Sequence, residues 1–262
     1  MDVSLPSDVL FTLGPLRVSN AVFAAYAITA GFILVALAAR GRLRVVPGRV
    51  QAAFEMLFDF LFSQFARAFG SEERARRFVP LLMSLFLFIL VANQFTLVPF
   101  VSSLVAEGAP VFRTPTTDWS GTLALALVTI GSAQVLSFAI SPLGHVGQYL
   151  RLGPLLKARS FGDVANGLLQ AFLGLLDIVG ELAKVVSLSA RLFGNIFAGE
   201  VMVAVIAALA VWTQFLVPMP FMFLSIFSGL IQAFVFTLLA TQFIAMSVAS
   251  RGHPQEASTG SA

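Results

Sequence analysis

Four windows of this chain carry no charged side chain: Arg17 to Arg40, Arg77 to Glu107, Asp118 to Arg151 and Glu200 to Arg251. A bilayer hydrocarbon core of about 30 Å is crossed by roughly 20 apolar residues in a helix. Windows of this length fit such spans far better than the buried strands or short helices of a water-soluble domain. Composition agrees. Hydrophobic residues are 58% of the 262, charged residues only 11%, and mean hydropathy is +0.92. A soluble domain usually carries about 25% charged residues. The fold class read from this pattern is an all-α polytopic membrane protein, with about five transmembrane helices.

The spans are expected at about 21–39, 79–100, 119–141, 165–213 and 221–248. Residues 21–248 then form a single transmembrane domain, between an N-terminal arm (1–20) and a tail (249–262). The fourth span continues through several charges. The last charge-free window is too long for one crossing, and Pro218-Met219-Pro220 is expected to form the turn inside it. Residues 51–69 differ from the rest. Phe54, Leu57, Phe58, Leu61, Phe65 and Ala68 recur at helical spacing, while Glu55, Asp59, Ser63 and Arg67 fall elsewhere. That pattern suits an amphipathic helix lying along the membrane interface; its alternative is the start of a longer second span.

Arginine placement sets an expected orientation. Arg40 to Arg49, Arg67 to Arg77, Arg151 to Arg159 and Arg251 hold the basic residues of alternate connections. The positive-inside rule then puts the N-terminus outside and the C-terminus in the cytoplasm. The net charge of +3 fits lipid headgroups and cytoplasmic loops, and no nucleic-acid partner is expected. The arm lacks the basic start of a signal peptide. Cysteine is absent, and the two histidines, His145 and His253, lie far apart. No cofactor, metal or catalytic centre is expected.

The chemistry is concentrated between Asp177 and Glu200. Asp177, Glu181, Lys184, Arg191 and Glu200 lie in one predicted membrane helix. An ionisable group near the bilayer centre costs roughly 2.5–3.5 kcal/mol on insertion scales, so its presence asks for a function. Glu181 and Lys184 are three residues apart and admit a second reading, an ion pair that only stabilises the helix. Arg191 has no acidic residue three or four positions away. Asp177, Glu181, Lys184, Leu188, Arg191 and Asn195 step by fours and threes along one side of the helix. Beside them runs a stripe of small residues, Ala183, Ser187, Ala190, Gly194 and Ala198, which lets another membrane helix approach closely. A guanidinium stays protonated throughout the physiological range. Beside a partner's carboxylic acid it lowers that acid's pKa and drives proton release. In the last span Ser225, Ser228 and Gln232 share a face and are channel-lining candidates.

The run Ser187-Leu-Ser-Ala-Arg191-Leu-Phe-Gly-Asn195-Ile-Phe-Ala-Gly-Glu200 resembles the signature of the subunit a family of the rotary ATP synthase membrane sector. Gly229-Leu-Ile-Gln232-Ala-Phe-Val-Phe236 resembles that family's motif in the last helix. Thr114-Pro-Thr-Thr-Asp118-Trp-Ser-Gly resembles the stretch leading into its third span. The resemblance implies a proton-translocating stator subunit of the bacterial inner membrane. It implies a c-subunit ring, b-type peripheral stalk subunits and, through the stalks, a soluble ATPase sector as partners. It also implies that the last two helices, long and tilted, form a hairpin against the c-ring.

The implied roles follow position by position. Arg191 would face the ring. Asn195 and Gln232 would be its polar neighbours, and Glu200 a relay carboxylate of an outer half-channel. Asp177 would serve the cytoplasmic side, and Lys184 fills the family's basic position before the arginine. Ser225 stands where some relatives carry a histidine or acid, so any relay there must use a hydroxyl or water. A secondary transporter or ion channel using the same charges is the alternative from another class. One difficulty is geometric: with a turn at Pro218–Pro220, Gln232 is about 15 residues out of level with Arg191, about 22 Å along a helix; steep tilt of the long helix, or a loop starting well before Thr213, would reconcile them.

Overall fold

The structure is a computed structural model. It describes residues 9–13, 16–41, 44–95, 105–106, 109–110, 113–140, 142, 147, 149, 161–209 and 217–249. His145, His253, Arg151 to Arg159 and the tail lie outside the described residues.

Among the described residues six long helices carry the architecture: α1 (Asn20–Ala39), α2 (Arg49–Phe69), α3 (Glu72–Phe95), α4 (Trp119–Ile140), α5 (Phe161–Leu209) and α6 (Pro218–Ala249). Four of them contain stretches long and apolar enough to cross a membrane: Asn20–Ala39, Glu72–Phe95, Trp119–Ala139 and Pro218–Val248. The protein is an all-α polytopic membrane protein. Helix α5 has 49 residues, a contour of about 73 Å at 1.5 Å per residue. That is more than twice the thickness of a hydrocarbon core.

The described residues fall into two compact units. The first takes in the chain to Ala124 and Ser189 to Thr241. Its arm holds a feature that hydropathy did not signal: β1 (Val9–Leu13) pairs antiparallel with β2 (Leu16–Ser19). A second short hairpin joins β3 (Val105–Ala106) to β4 (Ala109–Pro110). Ser19 ends β2 and caps α1, its Oγ accepting from the Val22 amide at 3.4 Å. The core of this unit is built by Ala24 and Ile28 of α1, Leu61 and Phe65 of α2, Leu82, Phe86 and Ile89 of α3, Leu192 and Ile196 of α5, and Ala233 and Phe236 of α6.

Helix α2 is separate from α3, not the beginning of it. Gly70 closes α2 with φ of 65°, its amide bonding back to the Arg67 carbonyl. Positive φ is open to glycine at little steric cost. The chain then turns so that the Phe69 and Phe78 rings stack at 5.0 Å, and the Arg76 guanidinium sits over the Phe62 ring at 5.3 Å. The apolar stripe read from sequence divides along its length. Leu61 and Phe65 are buried, while Phe54 and Phe58 are exposed. Gln51 pins the segment before α2, accepting from the Arg44 amide at 3.1 Å and donating to its carbonyl at 2.9 Å.

The second unit takes in Leu125 to Leu188 and the chain from Gln242. Its buried apolar residues are Ala126, Ile130 and Ala133 of α4, Leu188 of α5, and Ile244 and Ala245 of α6.

The expected turn at Pro218–Pro220 is corrected. Both prolines lie in the first turn of α6, where a missing amide hydrogen is harmless and the fixed φ suits a helix. Helix α5 is described as far as Leu209; residues 210–216, with the end expected at Thr213, lie outside the described residues. Helix α3 begins at Glu72 and ends at Phe95; the expected extension to residue 100 also lies outside them.

Candidate functional site

Within the first unit, α5 meets α6 through small and polar side chains. The Ser228 hydroxyl donates to Asn195 Oδ1 at 2.8 Å, and Asn195 Nδ2 reaches the Ser228 carbonyl at 3.5 Å. One turn along, Gly199 faces Ser225: a Cβ on Gly199 would lie 2.8 Å from the Ser225 hydroxyl. The contacts therefore run antiparallel, 195 with 228 and 199 with 225. Extended by one turn, the same register puts Arg191 level with Gln232. These contacts remove the 15-residue mismatch expected from a turn at Pro218–Pro220.

The neighbours of this contact are polar, and one of them, Glu200, is acidic. Glu200 is half-buried, and its Oε1 accepts from the Thr114 hydroxyl at 3.1 Å. Thr116 donates to Asn93 Oδ1 at 2.9 Å, and Asn93 Nδ2 donates onward to the Gly229 carbonyl at 3.1 Å. Gln94 Nε2 donates to the Ile226 carbonyl at 2.9 Å. Thr114, Thr116 and Thr117 sit in and beside a short 3-10 turn (Pro115–Thr117) and are fully buried. Gly121 lets that turn pack down, since a Cβ there would collide with the Pro115 carbonyl oxygen. Hydroxyls at Thr122 and Ser189 bond at 3.1 Å and tie the start of α4 to α5 two residues before Arg191.

Arg191 itself is exposed. Among the described residues no hydrogen bond or ion pair holds its guanidinium. The small residues Ala183, Ser187, Ala190, Gly194 and Ala198 are exposed as well, and a Cβ on Gly194 would meet nothing within 4 Å. Leu188, Leu192 and Ile196, the opposing ridge of the helix, are buried. The line of residues that shares one side in sequence thus divides: Leu188 turns into the core and Arg191 outward, beside the small stripe. Gln232 is buried, and its Nε2 has no hydrogen-bond partner among the described residues.

The remaining candidates lie in the second unit. Lys184 Nζ pairs with Glu181 Oε1 at 2.6 Å and lies over the Phe243 ring at 5.3 Å. Both charged groups line a cavity of about 200 Å³, with Gln134, Ser137, Tyr149 and Ser247 among its other polar walls. The Tyr149 hydroxyl donates to Gln134 Oε1 at 3.1 Å. Asp177, half-buried one turn before Glu181, does not line the cavity.

Sequence reasoning missed Asn93, Gln94, Thr116, Thr122, Ser189 and Gln134 as polar contributors. The available signal was two adjacent amides, Asn93-Gln94, in an otherwise apolar span. Buried amides in hydrocarbon need partners, which marks them as contact points even without charge.

Comparison with known proteins places the chain in a family. Residues 21–245 match the family model described as ATP synthase A chain. ATP synthase subunit a of Moorella thermoacetica is 36% identical over 244 residues, 93% of this chain and 96% of that protein. ATP synthase subunit a 2 of a Bradyrhizobium species is 33% identical over 246 residues, 94% of this chain and 96% of that protein. ATP synthase subunit a 1 of Hahella chejuensis is 30% identical over 245 residues, 94% of this chain and 91% of that protein. With the match running from the second residue of α1 through α2 to α5 and on to Ala245 of α6, the chain belongs to the ATP synthase A chain family.

Proposed function

We propose that this chain is the proton-translocating stator subunit of a rotary ATP synthase in the bacterial inner membrane, with its N-terminus outside and its C-terminus in the cytoplasm. Its partners are then a c-subunit ring, b-type peripheral stalk subunits and the soluble ATPase sector. The observation that carries the reading is Arg191: an exposed cation without an ion-pair partner among the described residues, flanked by Ala190 and Gly194. Such a group is matched to a carboxylate supplied from outside, and the small stripe lets the helix bearing that carboxylate come close.

The mechanism follows from electrostatics. Glu200, with Thr114 beside it, opens the outer aqueous path. Ser225, Ser228, Asn195 and Gln232 line its continuation toward the level of Arg191. A proton arriving there neutralises a ring carboxylate, and the neutral acid faces lipid without the penalty of a buried charge. The ring turns and the acid reaches a second path on the cytoplasmic side. Asp177, with Glu181, Lys184 and their cavity, serves that path. Arg191 stabilises the carboxylate left behind when the proton departs, and its fixed positive charge repels a proton moving directly from one path to the other. Each proton crossing 100 mV delivers about 2.3 kcal/mol, so several must pass for each ATP made in the partner sector.

The close approach of the Ser225 hydroxyl to Gly199, next to Glu200 in the chain, supports a relay through hydroxyl and water where some relatives use a titratable side chain. The direct test is Arg191→Ala in the assembled complex. Proton-driven ATP synthesis in membrane vesicles should fall to background while the soluble sector still hydrolyses ATP. Coupled synthesis retained in that variant would defeat the proposal.

A further inference from the structure

Two buried polar atoms near the α5–α6 contact lack partners among the described residues: Gln94 Oε1, an acceptor, and Gln232 Nε2, a donor. Buried polar atoms in native structures are almost always satisfied, by protein or by ordered water. The two belong to one neighbourhood. Gln94 Nε2 is bonded to the Ile226 carbonyl at 2.9 Å and lies 2.7 Å from where a Gly229 Cβ would stand. Gln232 follows Gly229 by three residues, on the same side of α6. Glycine at 229 is what lets the Gln94 amide reach this depth.

We propose that Gln94 is a further residue of the outer proton path. Its carbonyl oxygen and the Gln232 amide jointly hold water, which carries the path from the level of Ser225 and Ser228 toward that of Arg191. The water accepts from Gln232 Nε2 and donates to Gln94 Oε1, so each orphan is answered by the complementary half of one molecule. Gln94 thereby has two separate duties. Its amide nitrogen fixes α3 to the α6 backbone, and its carbonyl orients the water. It is a positioning residue, and this assignment rests on the proposed proton-path function.

The test measures passive proton conductance through the membrane sector after the soluble sector is stripped, normalised to the amount of assembled sector in the vesicles. Gln94→Leu removes both duties. Conductance per assembled sector should fall about tenfold, the scale of leaving a buried polar group unmatched. Gln94→Glu restores an acceptor, and conductance should recover, with a pH dependence that the parent lacks as the new carboxyl titrates. Should Gln94→Leu fail to assemble, the Gln94→Glu profile decides alone. Parental conductance per sector in Gln94→Leu overturns the assignment and leaves Gln94 a purely structural tie. So does a Gln94→Glu variant whose pH profile matches the parent. Arg191→Ala run in parallel separates the two failures: if it retains coupled synthesis, the function proposal has failed; if only the Gln94 variants behave as the parent, this inference alone has.

Discussion

The two units treat the charges of α5 in opposite ways. In the second, Lys184 and Glu181 are neutralised within a single turn of α5, with the Phe243 ring over the ammonium. In the first, Ser228 with Asn195 and Thr116 with Asn93 satisfy each other by neutral hydrogen bonds, and Arg191 is left exposed two residues from the Thr122–Ser189 tie. On the proposed function, the contrast is between charge compensated within its own helix and charge left for a partner. A cation already paired inside its own helix has little left to offer a passing carboxylate. One held on neutral polar scaffolding keeps its full attraction.

The contrast can be broken by making the first region like the second. Gly194 stands three residues after Arg191 in open space, so an aspartate fits there and can pair with the guanidinium as Glu181 pairs with Lys184. Gly194→Asp should therefore abolish most coupling with the arginine still present. The expected loss in proton-driven ATP synthesis is about a hundredfold, the scale of removing a preorganised electrostatic group. Gly194→Asn, matched in size and neutral, should lose far less. Equal losses in the two variants would mean that space along the small stripe matters and compensation of charge does not.

A second substitution asks whether the neutral scaffolding must be in place. Gly121→Ala sets a methyl group against the Pro115 carbonyl oxygen, and backbone gives way less easily than a side chain. The 3-10 turn bearing Thr116, and Thr114 just before it, has to move off α4. Overpacking of this kind costs about 1–3 kcal/mol. The assembled sector should melt at lower temperature in detergent, and proton conductance per assembled sector should fall as Thr114 draws away from Glu200. Gly131→Ala, in the same helix with nothing within 4 Å of its Cβ, is the matched control and should change neither.

How far the sequence exposed all this depends on charge. The spans were legible because hydrocarbon tolerates so few charged residues, and Arg191 was legible because it violates that rule. Thr114 and Gln232 were visible through their motifs. Asn93, Gln94 and Thr122 were not, and Ser189, although inside the arginine motif, was not singled out there. They carry no charge, and their burial is compensated by partners remote in sequence, 136 residues away for Asn93 and 132 for Gln94. The Pro218–Pro220 turn misled because proline suits the first turn of a helix as well as a loop. That reading displaced Gln232 from Arg191, and the contacts of Asn195 with Ser228 and of Gly199 with Ser225 bring the two back level. The β1–β2 hairpin left no trace in hydropathy, its strands being too short for alternation to stand out.

Removing one neutral bond gives a smaller effect than either glycine variant. Ser228→Ala deletes the 2.8 Å donor to Asn195 Oδ1 and leaves that acceptor with less than it needs in an apolar setting. The net worth of such a bond is about 1 kcal/mol. Thermal stability of the assembled sector should drop by that amount and proton conductance should fall modestly. Ser228→Thr, which keeps the hydroxyl, should restore both. Failure of the threonine to restore conductance would place the role of Ser228 in its size.

The smallest effect belongs to the self-compensated pair, and it decides whether the second region is as self-contained as the contrast requires. The Lys184 and Glu181 side chains retain 34% and 27% of their exposure, so screening reduces what the pair contributes. Exposed pairs of this spacing are worth about 0.2–1 kcal/mol. A cycle of Glu181→Gln, Lys184→Met and the double variant, read by thermal unfolding of the assembled sector, should give a coupling energy in that range. The double variant should be more stable than the Glu181→Gln single, because it no longer leaves an ammonium unpaired beside Phe243. The same three proteins should also be assayed for ATP synthesis. If the pair only holds the helix, synthesis tracks assembly and the double variant recovers it. If Lys184 works in the cytoplasmic path in its own right, the double variant assembles well yet stays slow, and the division between holding charge and working charge moves inside this unit.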